Sequence, residues 1–207
     1  DYKGILVTDG LQQYHLVDKK LPGVTNANCW AHARRDFADA VKAMDKKDPS
    51  AVRNSVAYVA LQKIGEFYNA DTELKGLSSE ERLQKRQETI QPLVEDFFAW
   101  VKEQISQCTV PPKSKTGQGL QYLIHQETYL KVFMTDGDVP IDNSASERSI
   151  RTFCIGKKNW MFHNTANGAS ASAMVYSISE TAKLNDLRPY YYLRYILTEL
   201  TKLRDEN

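Results

Sequence analysis

Gly4-Ile5-Leu6-Val7-Thr8-Asp9-Gly10 is the stretch that decides the fold of this 207-residue chain. Ile5 to Thr8 is an apolar, β-branched run closed by Asp-Gly, which predicts a short buried strand followed by a turn. Gln12 to Val17 reads as a short helix or turn, closed by Pro22-Gly23. A second strand is predicted from Val24 to Cys29, then a helix from about Ala31 to Met44. Strand, helical turn, strand, helix is an α/β pattern. A buried strand with almost no lead-in needs neighbours for its backbone groups. The chain therefore reads as the C-terminal part of a longer protein, with a sheet edge prone to pairing.

Outward from this core the pattern becomes helical. Val56, Val59, Ala60, Ile64, Phe67 and Tyr68 recur at helical spacing. Ser78-Ser79-Glu80-Glu81 is a capping box opening a long helix with Leu83, Ile90, Leu93, Val94, Phe97, Val101 and Ile105 on its apolar side. Pro92 predicts a kink or break within it, and Pro111-Pro112 ends it. A further helix is predicted over roughly Gly119 to Met134, closed by Gly137. The final third predicts a helix starting near Asp142 to Ser146 and a Lys/Asn/Trp loop. Two more helices follow, from about Ala169 to Leu184 and from Pro189 onward.

Composition limits the function classes. Hydrophobic residues make up 42% and charged residues 26%, the balance of an ordinary globular protein. The formal net charge of +1 gives no global electrostatic case for nucleic acid, so any such case rests on local clustering. No apolar run is long enough to span a bilayer, and no signal pattern is present. Three well-separated cysteines, Cys29, Cys108 and Cys154, fit a reducing cytoplasm rather than a disulfide framework.

The densest chemistry lies in Asp142-Asn143-Ser144-Ala145-Ser146-Glu147-Arg148-Ser149-Ile150-Arg151 and Gly156-Lys157-Lys158-Asn159-Trp160-Met161-Phe162. Glu147 reads either as a metal ligand or as a helix-stabilising partner of Arg151 at i,i+4. Asp142 or Asn143 can cap the helix that carries it. Arg148, Arg151, Lys157 and Lys158 suit phosphate contacts, and Asn159 a phosphate or base edge. Trp160 is either a platform for an unpaired base or a core residue. Asp9 follows the carboxyl end of a strand, where ligands collect in open sheets, but Asp-Gly is also a common turn. Cys29 and His32 supply half a zinc spacing with no second pair, which favours a structural role for both. Arg34 and Arg35 extend the basic surface. No Ser-His-Asp order, phosphate loop or dinucleotide fingerprint is present.

Asp9-Gly10, Cys29-Trp30-Ala31-His32-Ala33-Arg34-Arg35-Asp36-Phe37 and Ile141-Asp142-Asn143 together resemble the transposase of the IS66 insertion-sequence family. So do Glu147-Arg148-Ser149-Ile150-Arg151, Gly156 to Phe162, Glu180-Thr181-Ala182-Lys183 and Tyr192-Leu193. The resemblance spans essentially the whole chain, with Ser144 standing where a second asparagine is usual. It implies a mainly α chain with a small β remnant: an incomplete RNase H-like core interrupted by an all-helical insertion. Residues 1–36 and 141–207 would be the two core parts and 37–140 the insertion.

It further implies a DDE-type enzyme in which Asp9 and Glu147 are the second and third acidic ligands of two Mg²⁺ or Mn²⁺ ions. The first aspartate would lie on an earlier strand that this chain does not contain, so the 207 residues alone are expected to be inactive. The implied partners are transposon-end and target DNA and further copies of the protein on that DNA, with no membrane. A non-catalytic DNA-binding or oligomerisation remnant, and an unrelated helical RNA-binding protein, are the competing readings.

Overall fold

The computed structural model describes residues 2–44 and 47–205. Its contacts divide the chain into two units, with the division after Ser144.

In the first unit, β1 (Gly4–Thr8) pairs in parallel with β2 (Val24–Asn28), Gly4 opposite Val24 and Thr8 opposite Asn28. A 3₁₀ turn, Gln12–Leu16, and the short α1 (Val17–Lys20) connect them. The predicted helix after β2 is divided into α2 (Trp30–Ala33) and α3 (Arg35–Ala43), with Arg34 at the junction. Next come α4 (Pro49–Arg53) and α5 (Val56–Glu73), whose first turns are capped by Asp48 and Ser55. The capping box forms as expected: Ser78 accepts from the Glu81 amide, Glu81 accepts from that of Ser78, and α6 (Ser79–Lys85) begins.

Pro92 sits in the first turn of α7, just after an interruption of the regular helix. A single wide π turn, Arg86–Ile90, carries the chain from α6 into α7 (Gln91–Ser106). A proline ring would clash with the carbonyl four residues back in a regular helix, and a widened turn relieves that contact. Helix α8 (Lys115–Leu130) starts one turn earlier than its apolar pattern suggests, because Ser114 Oγ accepts from the Gly117 amide. A short 3₁₀ turn, Val132–Thr135, follows.

The core of this unit is one aromatic-rich cluster. Trp30 is fully buried, lies edge-on to Phe67 at 4.7 Å and packs against Phe97 and Phe98. Its indole N–H donates to the Leu130 carbonyl at 2.9 Å. Each such ring contributes roughly 2–3 kcal/mol through burial. Gly119 of α8 is required here, since a Cβ would press at 2.9 Å on the Phe37 ring. The helices of residues 37–140 thus share a hydrophobic core with Ala27 of β2 and Trp30.

Two arginines one turn apart tie the segment after α8 to this core. Arg86, 2% exposed, donates Nε–H to Asp71 Oδ1 at 2.7 Å. Its NH1 donates to the Phe133, Asp136 and Val139 carbonyls, each at 2.8 Å. Arg82 binds the Gly137 carbonyl at 3.1 Å and that of Leu77 at 3.1 Å. Backbone carbonyls that no regular element satisfies are thereby paired.

The second unit comprises α9 (Ser144–Trp160, from Ala145 on), α10 (Ala166–Leu184) and α11 (Pro189–Asp205). Residues 156–160, expected as a loop, are helical. The reason is packing within and between helices: Phe153 and Trp160 meet edge-on at 5.1 Å, and Phe153 meets Tyr176 of α10 at 5.3 Å. Gly156 sits where the Tyr176 hydroxyl approaches too closely for any Cβ. Among the described residues of this unit only Ala182 is buried, whereas Ile150, Phe162, Met174 and Leu184 are exposed. Among the described residues, no helix is long and apolar enough to cross a membrane.

Candidate active site

The carboxyl edge of the two strands is built from an unusual amount of buried polar chemistry. Thr8 Oγ1 donates to Asn26 Oδ1 (3.0 Å), Asn26 Nδ2 to Asn28 Oδ1 (3.1 Å), and Asn28 Nδ2 to Gln126 Oε1 on α8 (2.9 Å). All three strand residues are buried. A satisfied polar chain in a low-dielectric setting is rigid, because each member lost leaves a neighbour unpaired. It fixes the platform from which Asp9 emerges.

Asp9 is exposed, just past β1, and its Oδ1 accepts from the Leu11 amide at 3.1 Å. Gly10 has φ +80°, and a Cβ there would collide with Tyr122 Oη of α8 and lie 3.1 Å from Asn28 Nδ2. The Asp9-Gly10 turn is therefore pressed directly against α8, and only glycine fits it.

Cys29 and the Asp142–Asn143 segment meet, although 114 positions separate Cys29 from Asn143. The Asn143 amide donates to Cys29 Sγ at 3.4 Å, and the Trp30 amide to the Ile141 carbonyl at 3.2 Å. Asp142 accepts from the Ser144 amide (2.9 Å) and from Tyr68 Oη (3.2 Å). Burial, then the Asp142 charge, pushes the Tyr68 hydroxyl far above the usual tyrosine range. Burial likewise pushes the Cys29 thiol up. Cys29 is expected to resist alkylation in the native protein, while the exposed Cys108 and Cys154 react. Mass spectrometry after iodoacetamide should count two labels natively and three in denaturant; rapid native labelling of Cys29 would contradict this packing. His32 is half-buried on α2, and Arg34 and Arg35 are exposed beside it.

The remaining candidates lie on α9. Glu147, Arg148, Arg151, Lys157, Lys158 and Asn159 are all exposed. At about 100° per residue, Glu147, Arg151 and Lys158 share one face, with Arg148 and Asn159 on the flank. Trp160 is half-buried on the opposite side, against Phe153 and, at 4.4 Å, His163. Glu147 lies in the first turn, where the helix dipole favours a negative charge.

Asp9 belongs to the first unit and Glu147 to the second. Both offer hard oxygen donors of the kind that Mg²⁺ or Mn²⁺ takes alongside water and substrate. Among the described residues, no three His, Cys, Asp or Glu side chains group into a metal site. Tyr68, Tyr122, Asn28 and Gln126, which pack around these candidates, are not legible in the sequence as their neighbours. Their only sequence signal is polarity on otherwise core-facing strand or helix positions.

The model of the IS66 transposase family matches residues 1–171. The chain belongs to that family. It is also similar to two uncharacterized proteins of Sinorhizobium fredii. It is 31% identical to y4hP over 96% of this chain and 37% of that protein. It is 29% identical to y4qI over 97% of this chain and 36% of that protein. The chain thus spans little more than a third of the length of these relatives. No solved structure matches it.

Proposed function

We propose that this chain supplies Asp9 and Glu147 to the catalytic centre of a DNA transposase that cleaves transposon ends and joins them to target DNA. The observation that carries the reading is the placement of Asp9. An exposed carboxylate stands on a rigid, glycine-defined turn at the carboxyl end of a parallel strand pair, in a chain of this family.

In this reading Asp9 and Glu147 hold Mg²⁺ or Mn²⁺, whose chemistry is to activate water or a DNA 3′-hydroxyl and to offset charge on the leaving oxygen. Arg151 and Lys158, on Glu147's face of α9, orient the scissile strand by its phosphate oxygens. Arg148, Asn159 and Lys157 flank it, and Arg34 and Arg35 offer further backbone contacts. The phosphorus passes from one oxygen to another in line, with no covalent enzyme intermediate. Cys29, His32, Asp142 and Asn143 hold the frame around Asp9. The acting unit is a homo-oligomer on DNA.

Excision of the encoding element by the full-length protein tests this. Purified protein with a plasmid carrying the element's own ends should give empty donor sites in Mg²⁺ or Mn²⁺ and none after chelation. Salt-sensitive DNA binding without metal-dependent cleavage would support the non-catalytic module instead.

A further inference from the structure

Two of the five positions of β2, Asn26 and Asn28, bury amides where apolar side chains would fill a strand without polar groups to satisfy. With Thr8 they form a row of hydrogen bonds that runs in one direction. The Gly10 amide donates to Thr8 Oγ1 at 3.3 Å, and the Thr8 hydroxyl donates onward to Asn26. Asn26 then donates to Asn28, and Asn28 to Gln126 of α8. Thr8, Asn26 and Asn28 each accept on one side and donate on the other, so the links reinforce one another. The row begins at the turn that carries Asp9 and ends on a helix.

What it holds at the turn is the backbone on both sides of Asp9. The peptide plane before Asp9 is fixed by the Thr8 carbonyl, which accepts from the Cys29 amide at 2.9 Å. The plane after Asp9 is fixed by the Gly10 N–H on Thr8 Oγ1. A peptide group is planar, so fixing both planes fixes the two backbone dihedrals of the residue between them. The bond from the Leu11 amide to Asp9 Oδ1 then limits the side chain. The aim of an exposed carboxylate is thus set by the buried residue before it.

We propose that Thr8 is a positioning residue for Asp9. Its hydroxyl, oriented by Asn26, Asn28 and Gln126, holds the Asp9-Gly10 peptide so that the carboxylate meets its metal in one orientation. The inference rests on the reading of Asp9 given above and deepens it, because it gives the helical segment that carries α8 a part in that site. Groups that orient a ligand without touching the metal commonly change metal affinity or activity by about 10–100-fold.

The test compares Thr8→Val, which keeps the side chain's shape and removes the hydroxyl, with Thr8→Ser, which keeps the hydroxyl and removes a buried methyl. Both should lower the thermal midpoint, so stability does not sort them. In the full-length protein Thr8→Val should slow excision about tenfold or more, leave KM for DNA unchanged and raise the Mg²⁺ concentration needed for half-maximal rate. Thr8→Ser should turn over within about twofold of wild type. Hydrogen exchange without metal, followed on a peptide spanning residues 9–12, should be faster in Thr8→Val and unchanged in Thr8→Ser, since only valine leaves the Gly10 N–H without its acceptor. Gln126→Met, half-buried at the far end of the row, is the second variant and should also slow excision with KM unchanged. Wild-type turnover by Thr8→Val and Gln126→Met, with Asp9→Asn inactive, overturns this inference alone. Equal loss in Thr8→Val and Thr8→Ser, in step with their thermal midpoints, also overturns it, since packing then explains both. If Asp9→Asn retains excision, the reading of Asp9 falls and Thr8 has nothing to position.

Discussion

Replacing Arg86 with leucine should destabilise the first unit by about 3–5 kcal/mol, the usual cost of removing one member of a buried ion pair. Arg86 makes its carboxylate contact and its three carbonyl contacts from a position 2% exposed to solvent. Leucine fills part of the volume but leaves Asp71, also buried, without its cation, and three carbonyls without a donor. Lysine should rescue little. An ammonium is a compact point charge and cannot reproduce the planar fork that serves Asp71 and three carbonyls together. Urea unfolding followed by tryptophan emission reads the effect directly, since Trp30 is in the same core. Removing both partners, in Asp71→Asn with Arg86→Leu, should cost less than the sum of the single losses. A loss below about 1 kcal/mol for Arg86→Leu would show that water replaces the guanidinium freely.

The second large effect concerns activity without stability. In the full-length protein, Asp9→Asn and Glu147→Gln should each lower excision by about a thousandfold or more, because preorganised charge at the transferring phosphate is the chief source of rate. Asparagine keeps the Oδ1 that accepts from the Leu11 amide, so the turn survives while the charge is lost. Glu147 is exposed on α9, and glutamine there leaves the helix intact. Asp142→Asn is the informative contrast. That carboxylate already accepts from Tyr68 and the Ser144 amide, so its loss should cost stability on the order of 1 kcal/mol and much less activity. Equal loss in all three variants would assign a metal to Asp142 as well and redraw the site. Circular dichroism alongside the excision assay separates the two kinds of damage.

The sequence was most legible where the determinants are local. The positions of both strands, the Ser78–Glu81 capping box and the helix over Val56 to Glu73 follow from neighbouring residues alone, although β1, expected to be buried, is buried only at Thr8 and exposes Leu6. One misreading has a tertiary cause. Gly156-Lys157-Lys158-Asn159 looks like a loop by composition, and glycine in a helix costs about 1 kcal/mol. The glycine is there because Tyr176, twenty residues on, needs the room. Pro92 signals a kink or break, and the regular helix is interrupted by a π turn immediately upstream of it. The candidate acids were readable as single residues at the ends of elements. Tyr122 and the Thr8–Asn26–Asn28–Gln126 chain were not. Their meaning depends on which helix faces the strand edge, and Asn28 and Gln126 are 98 positions apart. The Asp71–Arg86 pair was hidden for the same reason, since charges 15 positions apart on separate helices follow no helical period.

The π turn between α6 and α7 also sets the angular phase of two sets of side chains. Upstream of it, Arg82 points to the carbonyls it holds; downstream, Val94, Phe97, Phe98 and Val101 point into the aromatic core. A regular helix of the same length would rotate one set away from its target by roughly a hundred degrees per residue of register. The extra residue works as a keyed coupling between two shafts. It lets one continuous helix serve a polar clamp at one end and an oily interior at the other.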